Sequence, residues 1–327
     1  MVTALVALLA TLTACGAGAA PSASQDTISG PTGAPSKRGT KLRVVATTTI
    51  VGDVVRQIGG DAIELTVLLP VGSDPHGFEP TPKDVTRVAD ADAIFINGLG
   101  LEGFLGPLME NAGSDAKIVP VSAGIEPRQF VEGMASHEND HEGETGHEHA
   151  QSGGDPHVWT SPHNVMVWTQ NIAQTLSDLD PDNTETYDTN ARLYQQELET
   201  LDAWVREQVS RIPEGNREIV TDHAVFGYFA DRYGFIQVGA VVPGYSTLAE
   251  SSAQELARLE DAIRDLGVKA IFVGNTVNPN LARRVAEDTS TQLVFVYTGS
   301  LSEKGGPADN YLDFIRYNVD AIANALK

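Results

Sequence analysis

The chain has 327 residues, long for one hydrophobic core and comfortable for two lobes of about 130–150 residues each. An apolar share of 41% with mixed charge fits a globular chain and argues against a disordered one. With 44 acidic against 22 basic residues the net charge is −22, which argues against a nucleic-acid partner and gives a surface that gathers cations.

Residues 1–14, MVTALVALLATLTA, form an apolar run too short for an ordinary transmembrane helix. Cys15 follows it and is the one cysteine of the sequence, so no disulfide can form within the chain. The tetrad Leu12-Thr13-Ala14-Cys15 resembles the cleavage box of bacterial lipoproteins, in which the cysteine is acylated and becomes the first mature residue. The competing reading is a buried N-terminal strand with an incidental thiol. No Lys or Arg precedes the apolar run, a departure from the lipoprotein pattern that leaves room for a start upstream of Met1. Residues 16–40, GAGAAPSASQDTISGPTGAPSKRGT, lack apolar periodicity and are expected to form a flexible tether. No later stretch is long and apolar enough to span a bilayer, so the body is expected to be soluble.

From residue 41 the pattern becomes strand–helix alternation. Strands are predicted at 42–46 (LRVVA), 64–69 (ELTVLL), 93–96 (AIFI) and 117–121, with helices near 51–58 and 101–111. The same rhythm returns beyond residue 212. Strands are predicted there at 218–221 (EIVT), 236–241, 270–273 (AIFV) and 293–297, with helices around 224–232, 253–266, 279–288 and 310–325. Short apolar strands separated by helices indicate parallel pairing with crossover connections. Between the two sets, Asn183 is a suitable N-cap with Glu185 in the first turn. Tyr187, Ala191, Tyr194, Leu198, Leu201 and Val205 then recur at four- and three-residue steps, an apolar stripe on one helix face. Running to Arg211, the helix would be roughly 40 Å long and act as a strut, unless it simply packs on one lobe. The predicted fold is α/β: two Rossmann-like lobes with parallel sheets, 41–182 and 212–327, joined by a long rigid helix at 183–211.

Four of the eight histidines, His137, His141, His147 and His149, fall in an acidic, Gly-rich segment at 133–155. Imidazoles and carboxylates on a mobile loop bind divalent ions adaptably, so an auxiliary metal-collecting role is expected in preference to an unselected polar loop. Tight binding needs rigidly held donors. His76 follows the second strand in Asp74-Pro75-His76, His157 closes the acidic segment in Asp155-Pro156-His157, and His223 follows the first strand of the second set in Asp222-His223. Ligands of open parallel sheets bind outside the carboxyl ends of the strands, where two of these histidines fall. Their wide spacing matches no local metal signature, and each alone reads as a structural or surface histidine. His163, after Ser161-Pro162, reads as a helix N-terminal residue.

The segments LLPVGSDPHGFEPTPKDV, DPHVWTSPHN, TDHAVFGYFADRYG and GGPADNYLDFIRYNVDAIANAL, in this order over about residues 42–327, resemble the zinc- and manganese-binding solute-binding lipoproteins of bacterial ABC importers. The resemblance implies two α/β lobes enclosing one metal on His76, His157 and His223. It also implies an extracytoplasmic, lipid-anchored monomer whose partners are a permease and its ATPase. That family commonly adds an Asp ligand in a Tyr-Thr-Asp-Ser-Leu pattern; here the row reads Tyr297-Thr298-Gly299-Ser300-Leu301, and Gly274 replaces a second frequent acidic residue. Asp74, Glu250 and Asp309 are candidates for a replacement carboxylate. Three imidazoles favour Zn2+ over Mn2+, which prefers oxygen donors. A zinc hydrolase with a three-His site is the rival class, although the sequence has no HExxH-like helix and no nucleophile–base pair at a recognisable spacing. A surface adhesin is a third reading with no signature of its own.

Overall fold

Two runs of near-continuous apolar residues, AIFI and AIFV, sit at the centre of the architecture, because strands covered on both faces need no polar alternation. The computed structural model describes residues 41–129 and 154–327. Cys15, the 16–40 segment and His137, His141, His147 and His149 lie outside the described residues.

The first sheet comprises β1 (Leu42–Ala46), β2 (Ile63–Val67), β3 (Ala93–Ile96) and β4 (Lys117–Pro120), all parallel in the order β2-β1-β3-β4. Its helices are α1 (Thr49–Gly59), α2 (Pro82–Ala89) and α3 (Leu105–Ala112). After α4 (Pro162–Leu179) and α5 (Thr184–Ser210) the second sheet repeats the plan. It has β5 (Glu218–Thr221), β6 (Ile236–Ala240), β7 (Ala270–Gly274) and β8 (Gln292–Val296), parallel in the order β6-β5-β7-β8. Its helices are α6 (Gly227–Tyr233), α7 (Ala253–Leu266), α8 (Asn280–Thr289) and α9 (Tyr311–Leu326). This is the predicted two-lobe α/β fold with a long helix. No helix among the described residues is long and apolar enough to cross a membrane.

Helix α5 buries the whole predicted stripe, and Asn183 occupies its N-cap. The cap works differently from expectation, since the Asn183 side chain donates to Asp180 Oδ2 at 2.6 Å and accepts nothing from the first turn. One hydrophobic cluster contains the α5 stripe together with Val44 and Phe95 of the first sheet and Ile219 and Phe272 of the second. The helix is therefore packed along its length and is not a bare strut between separate bodies.

Two helices begin later than predicted. Positive φ angles at Gly98, Leu99 and Gly100 make a left-handed turn, which postpones α3 to Leu105. The buried Glu102 carboxylate holds that turn, accepting from Asn97 N at 2.6 Å, Gly98 N at 3.0 Å and Thr47 Oγ1 at 2.8 Å. In the second lobe Asp222 and His223 occupy the turn after β5, and α6 starts only at Gly227. Helix α2 is an element the sequence reading did not contain. It starts with Pro82 after Thr81, whose amide and hydroxyl both donate to Asp84 Oδ2, at 2.9 and 2.6 Å.

Candidate metal centre

Each of the three separated histidines leaves a strand end or loop with an aspartate beside it, and those carboxylates set the geometry. Asp74 Oδ1 accepts the His76 amide at 3.0 Å, while its other oxygen accepts from Thr247 Oγ1 of the second lobe. Asp155 Oδ1 accepts both the His157 amide and His157 Nδ1, each at 2.9 Å. Asp222 Oδ1 does the same for the His223 amide and Nδ1, each at 2.6 Å, and its Oδ2 accepts from Gly274 N at 2.5 Å. A ring that donates from Nδ1 to a carboxylate is held in the tautomer whose lone pair is on Nε2, the state a metal ligand requires.

Those Nε2 atoms converge. His76 Nε2 lies 3.2 Å from His157 Nε2, which lies 3.2 Å from His223 Nε2. Around an ion with four ligands at about 2.0–2.1 Å, tetrahedral geometry puts neighbouring donors roughly 3.3 Å apart, so the cluster has the dimensions of one coordination shell. His157 is 0% and His223 3% exposed, and His76 is half-buried. Burial, reinforced by the two neighbouring imidazoles, pushes the His76 pKa down to about 2. Burial likewise holds His157 well below the ordinary imidazole value, with His223 adding to it. Both rings are thus neutral donors at physiological pH. Burial raises Asp155 to about 7, against the opposing pull of the His157 amide and the Arg128 guanidinium. Arg128 donates to Asp155 Oδ2 at 3.2 Å and, across the seam, to Asp231 Oδ2 of α6 at 2.5 Å.

Residues 44–325 match the family model described as zinc-uptake complex component A, periplasmic (ZnuA). The chain belongs to this family. It is 34% identical over 292 residues to the manganese-binding lipoprotein MntA of Halalkalibacterium halodurans, covering 89% of this chain and 90% of that one. The manganese ABC transporter substrate-binding lipoprotein PsaA of Streptococcus pneumoniae is 33% identical over 295 residues, covering 88% of this chain and 90% of that one. Among solved structures, the periplasmic zinc-binding protein TroA of Treponema pallidum superposes with a TM-score of 0.77 at 26% identity, over 88% of this chain and 99% of that one. The manganese-bound periplasmic metal-binding protein of candidatus Liberibacter asiaticus gives 0.74 at 27% identity, over 88% and 100%. As a member of the family, the chain is a metal-binding substrate-binding protein of an ABC importer, working on the extracytoplasmic side at the membrane. It is not an enzyme, and the hydrolase reading is set aside.

The candidate replacement carboxylates do not join the cluster. Among the described residues, the ligand atoms that come together are those of His76, His157 and His223 alone. Asp74 is engaged by His76 N and Thr247, and Asp309 accepts from Gly305 N at 2.7 Å and Asn310 Nδ2 at 3.1 Å. Glu250 is exposed on the wall of a cavity beside His223. The two glycines are fixed by packing. A Cβ on Gly274 would stand 1.9 Å from Thr298 Oγ1, and one on Gly299 would stand 2.9 Å from Pro75 Cδ. His163 is exposed in the first turn of α4, as its sequence context suggested.

Sequence reasoning missed Asp155 and Asp222 as the residues that orient the rings. The signal was present, since each directly precedes its histidine or is one proline removed from it.

Proposed function

We propose that the chain captures zinc on His76, His157 and His223 and delivers it to the permease and ATPase of the importer. The observation that supports this reading is the donor set: three imidazole nitrogens, with the Nε2 atoms of His76 and His223 each 3.2 Å from that of His157, and no carboxylate among the described residues joining them. Nitrogen donors in low coordination number suit zinc, whereas manganese is better served by several oxygens. The manganese-named relatives support the alternative cargo, so affinity is the deciding quantity. In calorimetric titration of the metal-stripped protein, zinc should bind more tightly than manganese; equal or tighter manganese binding overturns the assignment. Alanine at any one of the three histidines should weaken zinc by at least about a hundredfold, and undisturbed tight binding would remove the site.

The same reading assigns roles outside the described residues. Residues 1–15 are the signal with Cys15 the acylated anchor, and 16–40 tether a monomeric body. His137, His141, His147 and His149 collect metal for the central site. Within the body, 41–182 and 212–327 are the two lobes and 183–211 the link.

A further inference from the structure

The Asp155 carboxylate is wholly buried and carries two loads. Its Oδ1 accepts the His157 amide and Nδ1, and its Oδ2 accepts from Arg128 Nη1 at 3.2 Å. Among the described residues, Arg128 supplies the guanidinium that pairs with this carboxylate. A buried carboxylate stripped of its cation is costly, so a vacated Arg128 site would let Asp155 turn toward entering water. Arg128 is itself held from the other lobe. Its Nε and Nη2 donate to Asp231 Oδ2 and Oδ1 of α6, at 2.5 and 3.2 Å, which fixes the guanidinium plane and aims Nη1 at Asp155. Tyr228, also of α6, donates from its hydroxyl to Asp155 O at 2.8 Å and accepts the Arg128 amide at 3.0 Å, while the Asp155 amide donates to Arg128 O at 2.8 Å. Gly227 makes this closure possible, since a Cβ there would stand 1.8 Å from Arg128 Nη1 and 2.6 Å from Asp155 Oδ2. An ion pair that only bridged the lobes would need Arg128 and Asp231 and nothing more. The further N–H on Asp155, and a helix start without a side chain to admit it, point to a task at His157.

We infer that Arg128 is a positioning residue for metal capture, holding Asp155 against His157 Nδ1 so that the Nε2 lone pair stays on the cluster. The inference rests on the three-imidazole site proposed above. Through Arg128 the orientation of His157 depends on α6 of the second lobe. His223 has no such dependence, because Asp222 holds its Nδ1 at 2.6 Å and is itself anchored on Gly274 N. Lysine is an incomplete replacement for Arg128, since an ammonium is a point charge and cannot span both aspartates in one plane.

Long-range proton–nitrogen correlation spectra of the metal-free full chain, labelled with heavy nitrogen at histidine, read the tautomer of each ring, and zinc calorimetry reads the consequence. In the parent, His157 and His223 should both carry the proton on Nδ1. Arg128→Ala should shift His157 toward the form protonated on Nε2, leave His223 unchanged and weaken zinc binding by about 10–100-fold. Arg128→Lys should recover part of both effects. Gly227→Ala supplies the same test should Arg128→Ala not fold, because the atoms its methyl meets are the ends of two side chains that can move without disturbing the backbone. An unchanged His157 tautomer, or zinc affinity within about threefold of the parent, overturns the inference alone. So does a change shared equally by His157 and His223, the mark of general loosening. A parent that does not bind zinc overturns the proposed function together with this inference.

Discussion

Asp222→Asn isolates what the carboxylate beside His223 does. In the parent, one Asp222 oxygen accepts both the His223 amide and Nδ1 at 2.6 Å, and the other accepts Gly274 N at 2.5 Å. All three donors are N–H groups, and an asparagine offers one oxygen and one NH2. If the amide oxygen keeps His223, the NH2 faces the Gly274 N–H and a buried donor is orphaned. If it turns to satisfy Gly274, the NH2 faces Nδ1, the imidazole proton moves to Nε2, and the lone pair leaves the cluster. The first outcome costs stability, about 1–3 kcal/mol for an unpaired buried donor. The second costs metal affinity, about 10–100-fold for the loss of a partner that orients a ligand. Zinc calorimetry and thermal unfolding of the metal-free protein together read both. Parental affinity with parental stability would refute the argument that this carboxylate sets the tautomer.

The remaining expectations concern acid, packing and the loop. The neutral state of His76 is favoured by folding, from an ordinary value of 6.5 down to about 2, so its contribution is complete above pH 6.5 and is lost as pH falls below it. Between pH 6.5 and 5.5 the metal-free parent should lose about 1 kcal/mol more stability than His76→Asn, measured by denaturant titration; parallel pH profiles would contradict this. Asp155, raised to about 7, acts in the opposite sense in the same window, and the comparison with the variant removes it. Gly274→Ala places a methyl 1.9 Å from Thr298 Oγ1 and should destabilise by about 1–3 kcal/mol in thermal unfolding, with Thr298→Ala recovering part of the loss. No loss would mean that β7 and the 298 turn are not in contact. Deleting 137–149 should leave zinc affinity at the central site unchanged while lowering uptake by cells under metal scarcity; loss of all binding would mean that the main site has been misplaced.

The sheets were legible because buried parallel strands carry their own signature, and AIFI and AIFV have no polar residue to confuse it. Helix α2 was equally legible in principle, since Thr81, Pro82 and Asp84 form a capping box with proline at the first helical position. The segment entered the sequence reading only within the family motif LLPVGSDPHGFEPTPKDV, with no element assigned to it. The convergence of the histidines was not legible from spacing. His157 is 81 residues from His76 and 66 from His223, and only the order of the strands decides that they meet. Family resemblance supplied what periodicity could not. Trp159 illustrates the limit: its indole N–H donates to Thr298 O at 2.8 Å, a partner 139 residues away. Nothing local to DPHVWTSPHN announces that bond.

Such long-range bonds also decide how the site can open. Tyr311 OH donates to Trp159 O at 2.7 Å, Tyr311 N to Asp53 Oδ2 at 2.9 Å, and Leu301 N to Thr49 Oγ1 at 2.9 Å, tying α9 and the 298–301 turn to the first lobe. Swinging the lobes apart would break these bonds, each leaving a buried or half-buried group unpaired at about 1–3 kcal/mol, and would split the hydrophobic cluster that both sheets share through α5. The far side of the cluster is held differently. There the 243–250 segment meets the His76 loop through the Thr247–Asp74 hydrogen bond and through Leu248, which is 66% exposed although a Cβ on Gly77 would stand 3.3 Å from its Cδ2. Separating that contact costs one partly solvated hydrogen bond and little apolar burial. Asp74 also holds the His76 amide, so losing Thr247 would loosen the one half-buried imidazole of the cluster while His157 and His223 stay fixed by their own aspartates. The side of the cluster formed by the His76 loop and the 243–250 segment is therefore the less costly one to separate, with the lobes as the fixed frame.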